Sequence, residues 1–119
     1  MKKNTLKKIT KTDQKLVSML MGENVPAEID YNYIIKIKEK IESIKFEIPN
    51  FYVVEWFEVN IGYHFCAISS GLKGTEEYMI SPYQYNHFTF GDDLLMVCWE
   101  EIVLFVKWFK MKGYCDGRN

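Results

Sequence analysis

GDDLLMVCWEEIVLFVKWFKMKG, Gly91 to Gly113, decides the fold, because it reads as one long helix with more apolar surface than a single face can hold. Asp92 or Asp93 can accept hydrogen bonds from the first-turn N–H groups, and their charge suits the positive end of the helix dipole. Lys107, Lys110 and Lys112 fall near the other end, where cations are favoured, and Gly113 is a natural stop. At about 100° per residue, Leu95, Cys98, Ile102, Phe105, Val106 and Phe109 form one stripe, flanked by Trp99 and Trp108. Asp93, Glu100, Glu101, Lys107, Lys110 and Lys112 make the wetter half, yet Met96, Val97, Val103, Leu104 and Met111 project into or beside it.

Burying such an apolar side chain is worth about 1.5–3 kcal/mol, so several left in water would forgo a large stabilisation. Two readings follow. Either the helix is central, covered by a sheet on one side and by helices opposite, or its surplus face is a dimer seam or a partner-binding surface. A membrane span is the poorer account: it needs about 20 mostly apolar residues, whereas Glu100 and Glu101 interrupt the middle of a shorter run.

Outward from this helix, the chain of 119 residues with 48% hydrophobic content suits one domain with a real core, spanning 1–119. Residues 1–10 read as a flexible basic arm and 114–119 as a frayed tail. Six lysines against Asp13 give residues 1–15 a charge of +5, and the other 104 residues carry −6. The arm could touch a nucleic-acid backbone weakly or steer an acidic partner, but a net charge of −1 and a single arginine, Arg118, argue against a dedicated reader of bases. Cys66, Cys98 and Cys115 are odd in number and widely spaced, unlike a disulfide framework. With no secretory signal pattern at the start, the expected setting is cytoplasmic and reducing.

Thr10 and Asp13 open a first helix that runs to Met21 and stops at Gly22. A second, Asp30 to Ile44, places Tyr33, Ile34, Ile37, Ile41 and Ile44 at helical spacing. After Pro49 the period changes. Phe51 to Val59 is apolar at both parities, as expected of a strand covered on both faces or meeting a partner on one. Tyr63 to Ser69 returns, Thr75 to Ile80 is a third strand, and Phe88 to Phe90 is either a fourth or a loop. The expected class is α+β: two N-terminal helices, a three- to four-stranded mostly antiparallel sheet, and the long apolar helix packed on it.

Chemistry is sparse. His64 and Cys66 share a strand face and Glu55 interrupts the more apolar parity of its strand, so a small-ligand or hydrolytic cleft would involve these three. Glu55 is the carboxylate expected to be partly buried. SSGLKG, Ser69 to Gly74, lacks the phosphate-loop pattern and reads as a turn. No metal or cofactor site is expected. YMISPYQYNHFTF, Tyr78 to Phe90, mixes aromatic rings with amides and hydroxyls, a combination that recurs at protein interfaces. The leading expectation is a non-enzymatic regulator or inhibitor that binds another protein or pairs as a homodimer. Tyr78, Tyr83, Tyr85, His87, Phe88, Met96, Val103 and Leu104 are its candidate contacts.

Overall fold

Each helix begins on a side-chain oxygen that satisfies an otherwise orphaned amide. In the computed structural model, which describes residues 5–6, 9–45, 51–60, 62–70 and 84–113, Thr10 accepts from Asp13 N at 3.0 Å and opens α1 (Lys11–Met21). Gly22 closes it at φ 71, a left-handed value that suits glycine. Asp30 accepts from Tyr33 N at 2.9 Å and opens α2 (Tyr31–Glu42); Asp93 accepts from Met96 N at 3.3 Å and opens α3 (Leu94–Met111). Within residues 1–10, Thr5 and Leu6 are described as strand. Thr5–Leu6 forms β1 and pairs antiparallel with β2 (Ile29–Asp30), a pairing that gives the backbone beside fully buried Ile29 its hydrogen-bond partners.

The main sheet is antiparallel in the order β3-β4-β5, formed by β3 (Tyr52–Asn60), β4 (Tyr63–Ser70) and β5 (Asn86–Gly91). Phe88 to Phe90 is therefore strand. The expected strand Thr75 to Ile80 lies outside the described residues. Register sets Trp56 beside Cys66 and Cys66 beside Thr89, so Tyr52, Val54, Trp56, Cys66, Ile68, His87 and Thr89 share the inner face. β5 ends at Gly91, where the backbone runs so close to α3 that an added Cβ would lie 3.2 Å from Val97 Cγ2.

Helix α3 packs on β4 and β5, α2 packs on β3, and α1 lies against α3. The fold is α+β, with the C-terminal helix on the sheet as its spine. Tyr52 meets Phe105 edge-on at 5.2 Å, and Tyr85 meets Phe105 at 5.0 Å. Ile34, Ile37, Ile41, Ile68, Ile102 and Val106 are fully buried around them. Ile is a middling helix former, so burial of the α2 stripe supplies much of that helix's stability.

The surplus on α3 is mostly absorbed within the chain. Val97 and Val103 are buried, and the helix shows water only a narrow strip of Glu100, Leu104, Lys107, Lys110 and Met111. Glu101, placed on the wetter half by projection, is fully buried instead. Among the described residues, no helix is long and apolar enough to cross a membrane.

Candidate functional site

Strand alternation that buries one face of β3-β4-β5 turns the other outward, and no described element packs over it. Phe57 lies opposite Phe65, Phe65 opposite Phe90, and Ala67 opposite Phe88. The rings meet in sequence across the sheet: Phe57 to Phe65 at 4.9 Å, Phe65 to Phe88 stacked at 4.9 Å, Phe88 to Phe90 at 6.0 Å, and Phe90 to Tyr63 at 5.5 Å. Phe57, Val59, Phe88 and Phe90 are each more than half exposed, and Tyr63 is 40% exposed. Rings that can bury about 150–250 Å² each leave, at half exposure, on the order of 400–500 Å² of contiguous apolar surface. That is as large as the biggest patch on an ordinary monomer. Neither β3, β4 nor β5 contains a lysine or an arginine, and the charge on this face is the carboxylate of Glu55.

The free edge of β3 is capped by α2 at Val54. Lys38 Nζ donates to Val54 O at 2.9 Å, Val54 N donates to Glu42 Oε2 at 2.9 Å, and Lys38 pairs with Glu42. Both outward backbone groups of Val54 are thereby taken, which blunts that edge for strand addition.

On the inner face, Glu101 forms a buried polar cluster. Its Oε1 lies 2.7 Å from His87 Nδ1 and accepts from Thr89 Oγ1 at 2.7 Å, tying β5 to α3, while Oε2 is buried without a partner. A carboxylate behind an imidazole is the arrangement that orients a general base. Among the described residues, however, no serine, threonine or cysteine hydrogen-bonds to His87, and no group of three His, Cys, Asp or Glu is placed to hold a metal ion. Nearby, the Cys66 thiol is held well above its ordinary pKa by its hydrogen bond with Cys98 and by burial. It is a protonated core thiol and a poor nucleophile. Burial, reinforced by the Glu101 charge, likewise raises the Tyr85 phenol.

The residues anticipated for a cleft do not converge. Cys66 is fully buried and His64 is half-buried on the inner face, whereas Glu55 is exposed on the outer face, opposite Ala67. The buried carboxylate is Glu101, not Glu55. The signal was its spacing, three residues after Cys98 and four before Phe105, which sets it at the margin of the stripe between Phe105 and Trp108. Of the anticipated contacts, Phe88 lies in the outer aromatic row. Tyr85 packs on Trp108 at 4.9 Å, His87 faces inward to Glu101, and Met96 packs against the core. Val103 is only 6% exposed, enclosed by its own chain, and Leu104 sits on the wet strip of α3. Tyr78 and Tyr83 lie outside the described residues. Phe90 closes the Tyr78–Phe90 segment expected to carry contacts, whereas Phe57, Val59, Tyr63 and half-buried Phe65 were not among the expected contacts. The signal was there in the double apolar parity of β3, but its register was not.

Comparison with protein-family models, with curated proteins and with solved structures finds no match to this chain.

Proposed function

We infer that this chain is a non-enzymatic recognition protein that pairs with a second copy of itself through the outer face of its sheet. The observation that carries the reading is the row Phe57–Phe65–Phe88–Phe90–Tyr63, half-buried at Phe65 and exposed at its other rings, on strands that hold no lysine or arginine. Leaving that much apolar surface in water forgoes stabilisation that a partner would supply. The described part of the face carries one carboxylate, Glu55, and no lysine or arginine, so two copies can meet across a two-fold axis with little charge repulsion. Pairing two such faces would bury about 800–1,000 Å² from the apolar centre alone, near the lower bound for a specific interface. A dimer of micromolar affinity is the expected strength.

Stacked nucleic-acid bases are the other chemistry an aromatic sheet can serve, but phosphate contacts normally supply that affinity, and this face offers a carboxylate instead of lysines. The test is light scattering coupled to size-exclusion chromatography at about 1 and about 100 μM, on the parent chain and on Phe88→Lys and Phe57→Lys. A mass rising toward twice 14.1 kDa in the parent, and remaining at one chain in both variants, is expected. A parent that stays monomeric at the higher concentration overturns the reading.

A further inference from the structure

A second surface lies on the helical side, where α1 and α3 leave a groove of about 700 Å³ between them. Leu16, Met19 and Met111 supply its apolar lining; Met19 is 43% exposed and Met111 76%. Around them stand Thr12, Lys15, Lys107 and Lys110, with no carboxylate among the lining residues. The lysine–carboxylate pairs among the described residues are Lys36 with Glu23 and Lys38 with Glu42, so none of the three groove lysines is neutralised by a described neighbour. Lys110 lies in the last turn of α3, where it also complements the helix dipole. Lys15 and Lys107 have no such role. The cationic line continues along α1, because Lys11 and Lys15 border an adjoining hollow with Gln14, Ser18 and Val25.

We propose that this groove receives an acidic amphipathic helix of a partner protein. Charge complementarity selects the sign of that partner: three unpaired ammonium groups converge on one cleft in a chain whose net charge is −1. The lining selects its form. Two methionines are adaptable contacts for bulky apolar anchors, and a trough between two packed helices accepts a third helix presenting residues at i, i+3, i+4 and i+7. Glutamates flanking those anchors then reach Lys15 from one wall and Lys107 and Lys110 from the other. An anionic membrane would meet the same charges, but a bilayer engages a protruding apolar face more readily than a concave one.

The test uses the full chain and a fluorescein-labelled peptide of about 16 residues, with leucines at i, i+3, i+4 and i+7 and glutamates elsewhere, followed by anisotropy. Binding at about 10–100 μM is expected, weakened at least about tenfold by the triple reversal Lys15→Glu/Lys107→Glu/Lys110→Glu and strongly weakened by 1 M salt. All three lysines are exposed, so the reversal leaves the core intact. Met111→Ala should weaken binding about threefold. The outer-face variant Phe88→Lys should bind the peptide as the parent does, which separates this site from the self-association surface. Equal binding of a lysine-substituted peptide, indifference to the triple reversal, or no binding at 1 mM overturns the proposal. So does preferential binding to phosphatidylserine vesicles, which would assign the groove to a lipid surface.

Discussion

The two faces of β3-β4-β5 are built from the same kinds of residue and meet opposite fates. Ile68 on the inner face has none of its surface exposed, whereas Phe88, one strand over and turned the other way, is 51% exposed. The inner face is covered because α2 and α3 bring isoleucines, Phe105 and Val106 against it. The outer face is equally apolar and lacks a described cover. Hydrophobicity alone therefore does not mark a core; the supply of covering elements does. A face left bare at this cost to stability is where function is to be sought.

The sharpest way to break this comparison is to truncate one residue on each side. Ile68→Ala should destabilise the fold by about 2–5 kcal/mol, read from urea unfolding, because it opens a cavity under α3. Phe88→Ala should cost the monomer less than about 1 kcal/mol while weakening self-association at least about tenfold, read by sedimentation. Equal losses of fold stability from the two substitutions would mean that the outer face is covered after all.

The edge is the next test. Glu42→Ala removes the acceptor of Val54 N–H and the partner of Lys38, and should cost about 1–3 kcal/mol. It should also increase thioflavin-positive aggregation on storage, since the β3 edge is then open.

The buried cluster separates the faces in a third way, because the Glu101, His87 and Thr89 hydrogen bonds lie under the inner one. Glu101→Leu removes a carboxylate whose Oε2 has no partner, and should raise stability by about 1 kcal/mol. A loss beyond 2 kcal/mol in the same unfolding assay would show that the His87 and Thr89 hydrogen bonds outweigh that cost.

The smallest effect is alkaline. Hydrogen bonding with Cys98 and burial raise the Cys66 thiol above 9.0, and burial raises the Tyr33 and Tyr85 phenols above 10.0. Folded pKa values above the unfolded ones leave stability intact below those unfolded values, and stability is lost as pH climbs past them toward the folded ones. The urea midpoint should therefore hold below about pH 9 and fall as the pH rises above it. A flat profile would indicate that these groups ionise as readily folded as unfolded.

Much of the architecture was legible in the residues. Thr10, Asp30 and the Asp92-Asp93 pair announced three helix starts, and the isoleucines of α2 named its buried side before any tertiary contact was known. What escaped was decided by contacts distant in sequence. β1 and β2 are two residues each, too short to carry a period. Glu101 has the spacing of a core residue and the chemistry of a surface one, and only the His87 and Thr89 hydrogen bonds resolve that conflict. The candidate surface was half visible. β3 advertised apolar residues at both parities, but which set faced outward depended on where α2 and α3 docked. The Tyr78–Phe90 segment therefore shows only the Phe88 and Phe90 part of the row in the sequence, and the rings of β3 and β4 that complete it emerge from the register.

The seal that Lys38 and Glu42 place over Val54 also governs what kind of assembly this chain can form. Polymers that grow by adding strands never saturate, since each new member offers the same vacant rim as the last. Two flat surfaces pressed together consume each other and stop at two. With that rim capped at Val54, a pair formed across the exposed plane, as proposed, would be a finite particle and not a fibre.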